Sequence, residues 1–424
     1  MKNIINALQA HTGVSDYKIN IHSKESCELF FVKGALETLR RTDTCDKEVT
    51  VYADHDGCKG DAQFFVYPST TEAQLQALTA EAVEKALLIA NPTYTLPAGE
   101  DGSFRVASNL EDKSLSVLCQ EIADAVFAGD TVENASLNSV EIFVNKHTDR
   151  ILNSRGMDKT QVRYDAMVEA IPTFNGKEQS VELYEQYSFS SFDANTLTQR
   201  IHQKLEEARA RCEATVPAQK LSCPVVLREL ELATLMRSIA SDLSYSRVYT
   251  HANLFKEGDA VQKAPTGDIL GITMAGQVQG SVRSRCFDSD GLALGSQRIV
   301  EGGKVVSYFG DNRFGQYLGK APTGALPCLD ADAGTAAAEA FTAEGVLEVV
   351  SMSGLQVDFF NDYIGGEVRL AYLHKAGDIV PVTGISISGK LSQVLETIGL
   401  SQNKTVCGGY FGPEKAILQD MNIF

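Results

Sequence analysis

A helix-borne zinc hydrolase needs two imidazoles on one helix face and a glutamate beside them to activate water, which demands histidines within one or two turns of each other. The seven histidines of this chain stand at positions 11, 22, 55, 147, 202, 251 and 374. No two are close enough, so the sequence holds no self-contained site of that kind. Asp54, His55, Asp56, Cys58 and Asp61 do cluster, but turns between strands favour Asp and Gly for backbone reasons alone, and the cluster reads as a turn.

Three further patterns fall short of the chemistry they suggest. Gly315 to Ala321 is one residue short of a phosphate-cradling loop and lacks the hydroxyl that would hold magnesium. Asp288-Ser289-Asp290-Gly291 begins like a calcium loop, yet its sixth position is Ala293 where glycine is required. Gly384-Ile385-Ser386-Ile387-Ser388-Gly389 misses the nucleophile-elbow pattern and reads as a strand reaching a tight turn.

The elements that would position such groups are legible in outline. An amphipathic helix carries Ile4, Ile5 and Leu8 and can end at Gly13. Lys47 to Tyr52 alternates as a half-buried strand does, and a longer connection through Asp54 to Gly57 leads to a return strand at Gln63 to Tyr67. Ser69-Thr70-Thr71-Glu72 has capping-box spacing ahead of a helix with Leu75, Leu78, Ala82 and Ala86, closed by Asn91-Pro92. Helices are predicted over Leu115 to Phe127, over Ala194 to Cys212 with Asp193 as its cap, and around Leu230 to Leu243. Strands lie near Ile142 to Asn153, and a late helix follows Gly389 and ends at Gly399.

Of the 34 glycines, nine precede residue 251 and 25 follow it, so the later part must be rich in turns. This composition predicts an α+β fold: an N-terminal helix-and-strand region over 1–215, with possible subdomains near 1–100 and 101–215, then a glycine-rich, mainly β domain over 216–424. A net charge of -17 argues against nucleic acid as a partner, because phosphate binding depends on Lys and Arg. No window approaches the ~20 apolar residues of a membrane span, and the N-terminus lacks a signal-peptide core. A cytoplasmic protein is therefore expected. Nine scattered cysteines without a C-x-x-C pair read as reduced thiols rather than a disulfide scaffold.

The segment order resembles the PmbA/TldD family, the modulators of DNA gyrase, over nearly the whole chain. The matching stretches are Val51 to Asp54 with Gly60, Val144 to Gly156, Phe287 to Gly291, Ile387-Ser388-Gly389 and Gly412-Pro413. Active members carry H-E-x-x-x-H on a helix and take a third zinc ligand from a C-terminal cysteine. In this chain Arg237, Ser238 and Asp242 stand roughly where His, Glu and His would, and Cys407 matches the third ligand or is a buried structural cysteine. The resemblance implies a TldE-like role: no catalytic or metal-ligating residue and no cofactor in this chain, with zinc in a TldD-like partner subunit that cleaves unfolded peptide. Such an assembly would serve proteolysis or peptide maturation.

The substrate-cleft candidates are Gly384, Ser386, Ser388, Gly389, Cys407, Gly412 and Pro413, the first four either lining a cleft or forming an ordinary turn. Two other classes stay open. One is a homodimeric peptide-binding or scaffolding protein, in which the partner is a second copy of the chain; the other is a divergent hydrolase with Cys407 as nucleophile.

Overall fold

The structure is a computed structural model and describes residues 1–99, 101–375 and 377–424. Its first part is built on long strands. Helix α1 (Lys2–Ala10) is followed by β1 (Asp16–Val32), β2 (Ala35–His55), β3 (Cys58–Phe65) and α2 (Glu72–Ala86). Next come α3 (Leu115–Ala128), β4 (Ala135–Asn153), β5 (Asp158–Asn175) and α4 (Ala194–Glu213). One nine-stranded sheet contains them in the order 91–92, β3, β2, β1, β4, β5, 101–105, with two short strands added on β5.

Two hairpins in this sheet turn on two residues each. Lys33-Gly34 has φ of 49° and 77°, and Asp56-Gly57 has φ of 48° and 76°, the left-handed pair that a tight hairpin turn requires. The sequence reading expected a longer connection after Asp54 and a return strand from Gln63. Instead the ladder continues to His55 opposite Cys58, because Asp-Gly accepts the left-handed turn and leaves nothing to loop out. The cap of α2 also lies two residues beyond the expected box. The Thr71 hydroxyl accepts from the Gln74 N–H at 3.3 Å, and the Gln74 side-chain oxygen accepts from the Thr71 N–H at 2.9 Å. Asp193 caps α4 as expected, accepting from the Thr196 N–H at 2.7 Å.

Two helix pairs cover the sheet. Leu8 of α1 and Leu75 and Val83 of α2 pack on Ile19, Val49 and Val51. Farther along, Leu118, Ile122 and Val126 of α3 and Ile201 and Leu205 of α4 pack on Ile142, Val144 and Val168. Each such side chain, fully buried, contributes about 1.5–3 kcal/mol of transfer free energy. The stretches 1–100 and 101–215 thus share one sheet.

The second part contributes β6 (Val225–Arg228), α5 (Glu229–Asp242), β7 (Ile272–Ala275), β8 (Cys328–Ala331), β9 (Leu347–Met352), β10 (Tyr363–Lys375), β11 (Ile385–Lys390), β12 (Lys404–Cys407), β13 (Tyr410–Pro413) and β14 (Lys415–Leu418). A nine-stranded sheet runs 399–400, β14, β6, β9, β10, β11, 422–423, with two short strands, 356–358 and 378–382, added on β10, and a six-stranded sheet runs 304–305, 296–301, β7, β8, β13, β12. Helix α5 joins the two. Its Leu232, Leu235, Met236 and Ile239 are fully buried in one core with Val225, Leu347, Leu329 and Tyr410. The molecule is therefore an α+β protein, as its sequence predicts.

Polar contacts fix the two parts together. Lys18 of β1 pairs with Asp290 at 2.5 Å, Lys159 of β5 donates to the Gly291 carbonyl at 3.1 Å, and Gln161 accepts from the Cys286 N–H at 2.8 Å. The Asp288–Gly291 segment thus docks one domain on the other. Its carboxylate, Asp288, accepts from the N–H groups of Asp290, Leu292 and Ala325, the role of a turn.

Candidate functional site

Helix α5 runs beneath the turn that follows β12. Leu232, Leu235, Met236 and Ile239 take its buried face by their three- and four-residue spacing, which leaves Thr234, Arg237 and Ser238 half-buried on another face. From there Arg237 donates through Nη2 to the Cys407 carbonyl at 3.0 Å. The helix position and the cysteine singled out in the sequence are thus neighbours. Asp242 is not with them. Its carboxylate is turned into the 253–255 loop, where it accepts the N–H groups of Leu254 and Phe255 at 2.9 Å each. Ser238 bonds back to the Thr234 carbonyl at 2.8 Å, as a hydroxyl within a helix commonly does.

Burial raises the Cys407 thiol above its ordinary range; Glu229 raises it further and Arg237 opposes. No histidine or carboxylate accepts from its sulfur among the described residues. The Cys407-Gly408-Gly409 turn is held by Ser281, whose hydroxyl donates to the Gly408 carbonyl at 2.7 Å. Gly408 lies at φ +60° and packs against the Arg237 guanidinium. On the other side, a Cβ on Gly409 would meet Arg283 Cδ at 2.7 Å.

The seven cleft candidates fall in two sheets. Gly384, Ser386, Ser388 and Gly389 belong to β11 and the turn before it, inside the nine-stranded sheet. Ser386 exchanges main-chain bonds with Phe424, and β11 pairs with β10 on its other edge, so this strand has no free edge to lend a peptide. Cys407, Gly412 and Pro413 lie on β12 and β13 in the six-stranded sheet, where β12 is the terminal strand.

From the Cys407 turn the segment 281–287 leads to a cleft of about 490 Å³ between the domains, lined by His22, Asp149, Gln161, Arg163, Arg285 and Phe287 among others. Period-2 spacing along the strands joins His22, Asp149 and Arg163 of its wall to a buried polar network behind them. His147 and Asp149 share one face of β4, Arg163 and Asp165 share one face of β5, and the register sets His22 opposite Asp149 and Asn145 opposite Asp165. His22 binds Asp149, His147 Nε2 lies 2.9 Å from Asp165, and Arg163 reaches both carboxylates. Burial lowers His147 below the ordinary imidazole range, against the opposing pull of Asp165. Arg285 is lowered to about 10 by burial and by the like charge of Arg163. The sequence reading missed this wall; the H-x-D and R-x-D spacings were its only signal.

The chain is thus an α+β protein in which helix α5 faces the Cys407 turn, next to a cleft between its two parts. Residues 220–423 match the PmbA/TldA metallopeptidase C-terminal domain, so this part of the chain carries the C-terminal domain of the PmbA/TldD family. Among solved structures, TldE from Thermococcus kodakarensis superimposes with a TM-score of 0.81 at 15% identity, over 100% of this chain and 99% of that one. A proposed modulator of DNA gyrase from Thermotoga maritima gives 0.78 at 17% identity, over 100% of both chains. Its counterpart from Bacteroides thetaiotaomicron gives 0.78 at 15%, over 100% of this chain and 97% of that one. At these identities the likeness shows the fold. No curated protein matches the sequence significantly. No helix among the described residues is long and apolar enough to cross a membrane.

Proposed function

We propose that this chain is the zinc-free subunit of a TldD/TldE-type peptidase, pairing with a metal-bearing TldD-like subunit to cleave unfolded peptide. The observation that carries the reading is the α5 site. On the resemblance, Arg237 and Ser238 stand roughly where the active members' motif has His and Glu; Arg237 donates to the Cys407 carbonyl, while Asp242 is committed to the 253–255 loop. A guanidinium cannot ligate zinc, and Cys407 alone cannot build a tetrahedral site. No group of three or more metal-ligating side chains occurs among the described residues.

In this reading the chain supplies binding surface rather than an activated water. Strand β12 ends its sheet, so an extended peptide can add to it through main-chain hydrogen bonds with little sequence preference. The raised Cys407 thiol, with no base at its sulfur, speaks against a cysteine hydrolase. The test assays an unfolded peptide with this chain, with an H-E-x-x-x-H subunit, and with both, then adds a chelator. Cleavage should need both proteins and should stop with the chelator. Chelator-resistant cleavage by this chain alone would reject the partner model.

A further inference from the structure

We propose that Arg237 and Arg283 form a carboxylate-binding clamp across the Cys407–Gly409 turn, taking a carboxylate of the peptide substrate. Among the half-buried or buried arginines, Arg150, Arg163, Arg228, Arg298 and Arg313 each face an Asp or Glu, whereas Arg211, Arg237 and Arg285 do not; Arg283 is exposed. Neither Arg237 nor Arg283 pairs with any carboxylate among the described residues. Arg237 spends one of its five N–H donors on the Cys407 carbonyl, and Arg283 makes no side-chain hydrogen bond there. Glu229, on the first turn of α5, is the charge that raises the Cys407 thiol most, and it too pairs with neither arginine.

The turn is shaped to let both arginines approach. Gly408 and Gly409 present bare backbone between them: a Cβ on the first would stand 3.4 Å from Arg237 Nη2, and one on the second would collide with Arg283 Cδ. Ser281 fixes the turn by donating to the Gly408 carbonyl and accepting from the Arg283 N–H at 3.2 Å. Two like charges beside one backbone turn repel each other, and burial adds to that cost for Arg237. A carboxylate between them removes the repulsion and offers oxygens matched to the guanidinium fork. The position is also apt, because β12 ends at Cys407, so a peptide laid along its edge would bring a chain end or a side chain to the arginines.

The inference rests on the peptide-binding reading above. Its ligand chemistry is a carboxylate, which a peptide provides at its C-terminus or on Asp or Glu. The test uses this chain alone and three fluorescein-labelled nine-residue peptides of alternating Ala and Thr: one with a free C-terminus, one amidated, and one amidated with a central Asp. Anisotropy should show at least one carboxylate peptide binding about 10-fold tighter than the neutral amide, as charge-assisted hydrogen bonds predict. Whichever of the two binds tighter identifies the source.

R283Q, at an exposed side chain, and R237K, which keeps charge but loses the fork, should each bring that peptide to within about 3-fold of the amide. R369Q, which removes an exposed charge on β10, should leave the preference intact. Equal affinity for all three peptides, no binding of any, or a preference that survives R283Q and R237K overturns the clamp. Equal binding with chelator-sensitive cleavage by the mixed subunits would overturn the clamp and leave the subunit reading standing. A retained carboxylate preference without paired cleavage would do the reverse.

Discussion

The guanidinium of Arg228 donates through Nη1 to Glu207 Oε1 at 2.7 Å, tying β6 of the second part to α4 of the first. Its Nε reaches Glu348 at 3.0 Å, and Lys204 and Lys415 complete the network from either side. The carboxylates are almost wholly buried, at 4% and 5% side-chain exposure, so the cation between them is their main compensation.

Removing that cation takes from two buried carboxylates the partner they share, leaving Glu207 with Lys204 and Glu348 with Lys415. R228A is expected to destabilise the protein by about 3–5 kcal/mol, the range for breaking a buried ion pair from one side. Urea denaturation checks this, with R209A at the exposed Arg209–Glu206 pair as the reference expected to change stability by about 0.5 kcal/mol or less. Equal effects for both would show that the Arg228 network is no more consequential than a surface pair.

Glu231 offers a pH-dependent prediction. Burial raises its carboxyl from the ordinary 4.5 to about 7, and it forms no ion pair among the described residues. The folded state therefore favours the protonated form, so the stability this group contributes is fully present below pH 4.5 and is lost as pH rises through 7. E231Q should be more stable than the parent at pH 8, by at most roughly 2 to 3 kcal/mol, and the gain should shrink toward zero at pH 4.5. A gain independent of pH would reject the assignment.

Cys407 should be a slow thiol. Burial raises it, so iodoacetamide at neutral pH is expected to label the exposed Cys45 first, with peptide mass spectrometry reading the order. C407S should leave cleavage by the mixed subunits within about 3-fold of the parent, well short of the loss that removing a nucleophile brings. Faster labelling of Cys407 than of Cys45 would return it to consideration as a nucleophile.

The purified chain should bind no stoichiometric zinc, since Arg237 stands where an imidazole would be needed. Elemental analysis after gentle purification reads the outcome, and one zinc per chain would contradict it. A gel shift at physiological salt should likewise retain no DNA, given the charge of -17.

Local features of the fold could be read from the sequence because their causes are local. Asp193 caps α4, Gly129 follows α3, and Leu232, Leu235, Met236 and Ile239 repeat at helical spacing along α5. The Asp56-Gly57 turn was equally local, and its two-residue geometry was there to be recognised. Long-range pairing was not legible. Nothing near His22 in the chain announces that it will face Asp149 across 127 residues, or that Arg283 will meet the turn after Cys407. Of the α5 residues set against the family motif, Arg237 meets Cys407, whereas Asp242 is turned into the 253–255 loop, which offers that carboxylate two N–H groups.

Strand β1 lends one edge to β2 and the other to β4, the latter in a continuous register from Lys18 opposite Asn153 to Val32 opposite Ser139. A fragment ending near residue 100 would keep the hairpin and lose β4, baring a main-chain edge some fifteen residues long. That edge is the template on which strands of other molecules assemble. During synthesis the first hundred residues therefore emerge with an adhesive flank, and they stay exposed to aggregation until residues 135–153 have left the ribosome to cover it.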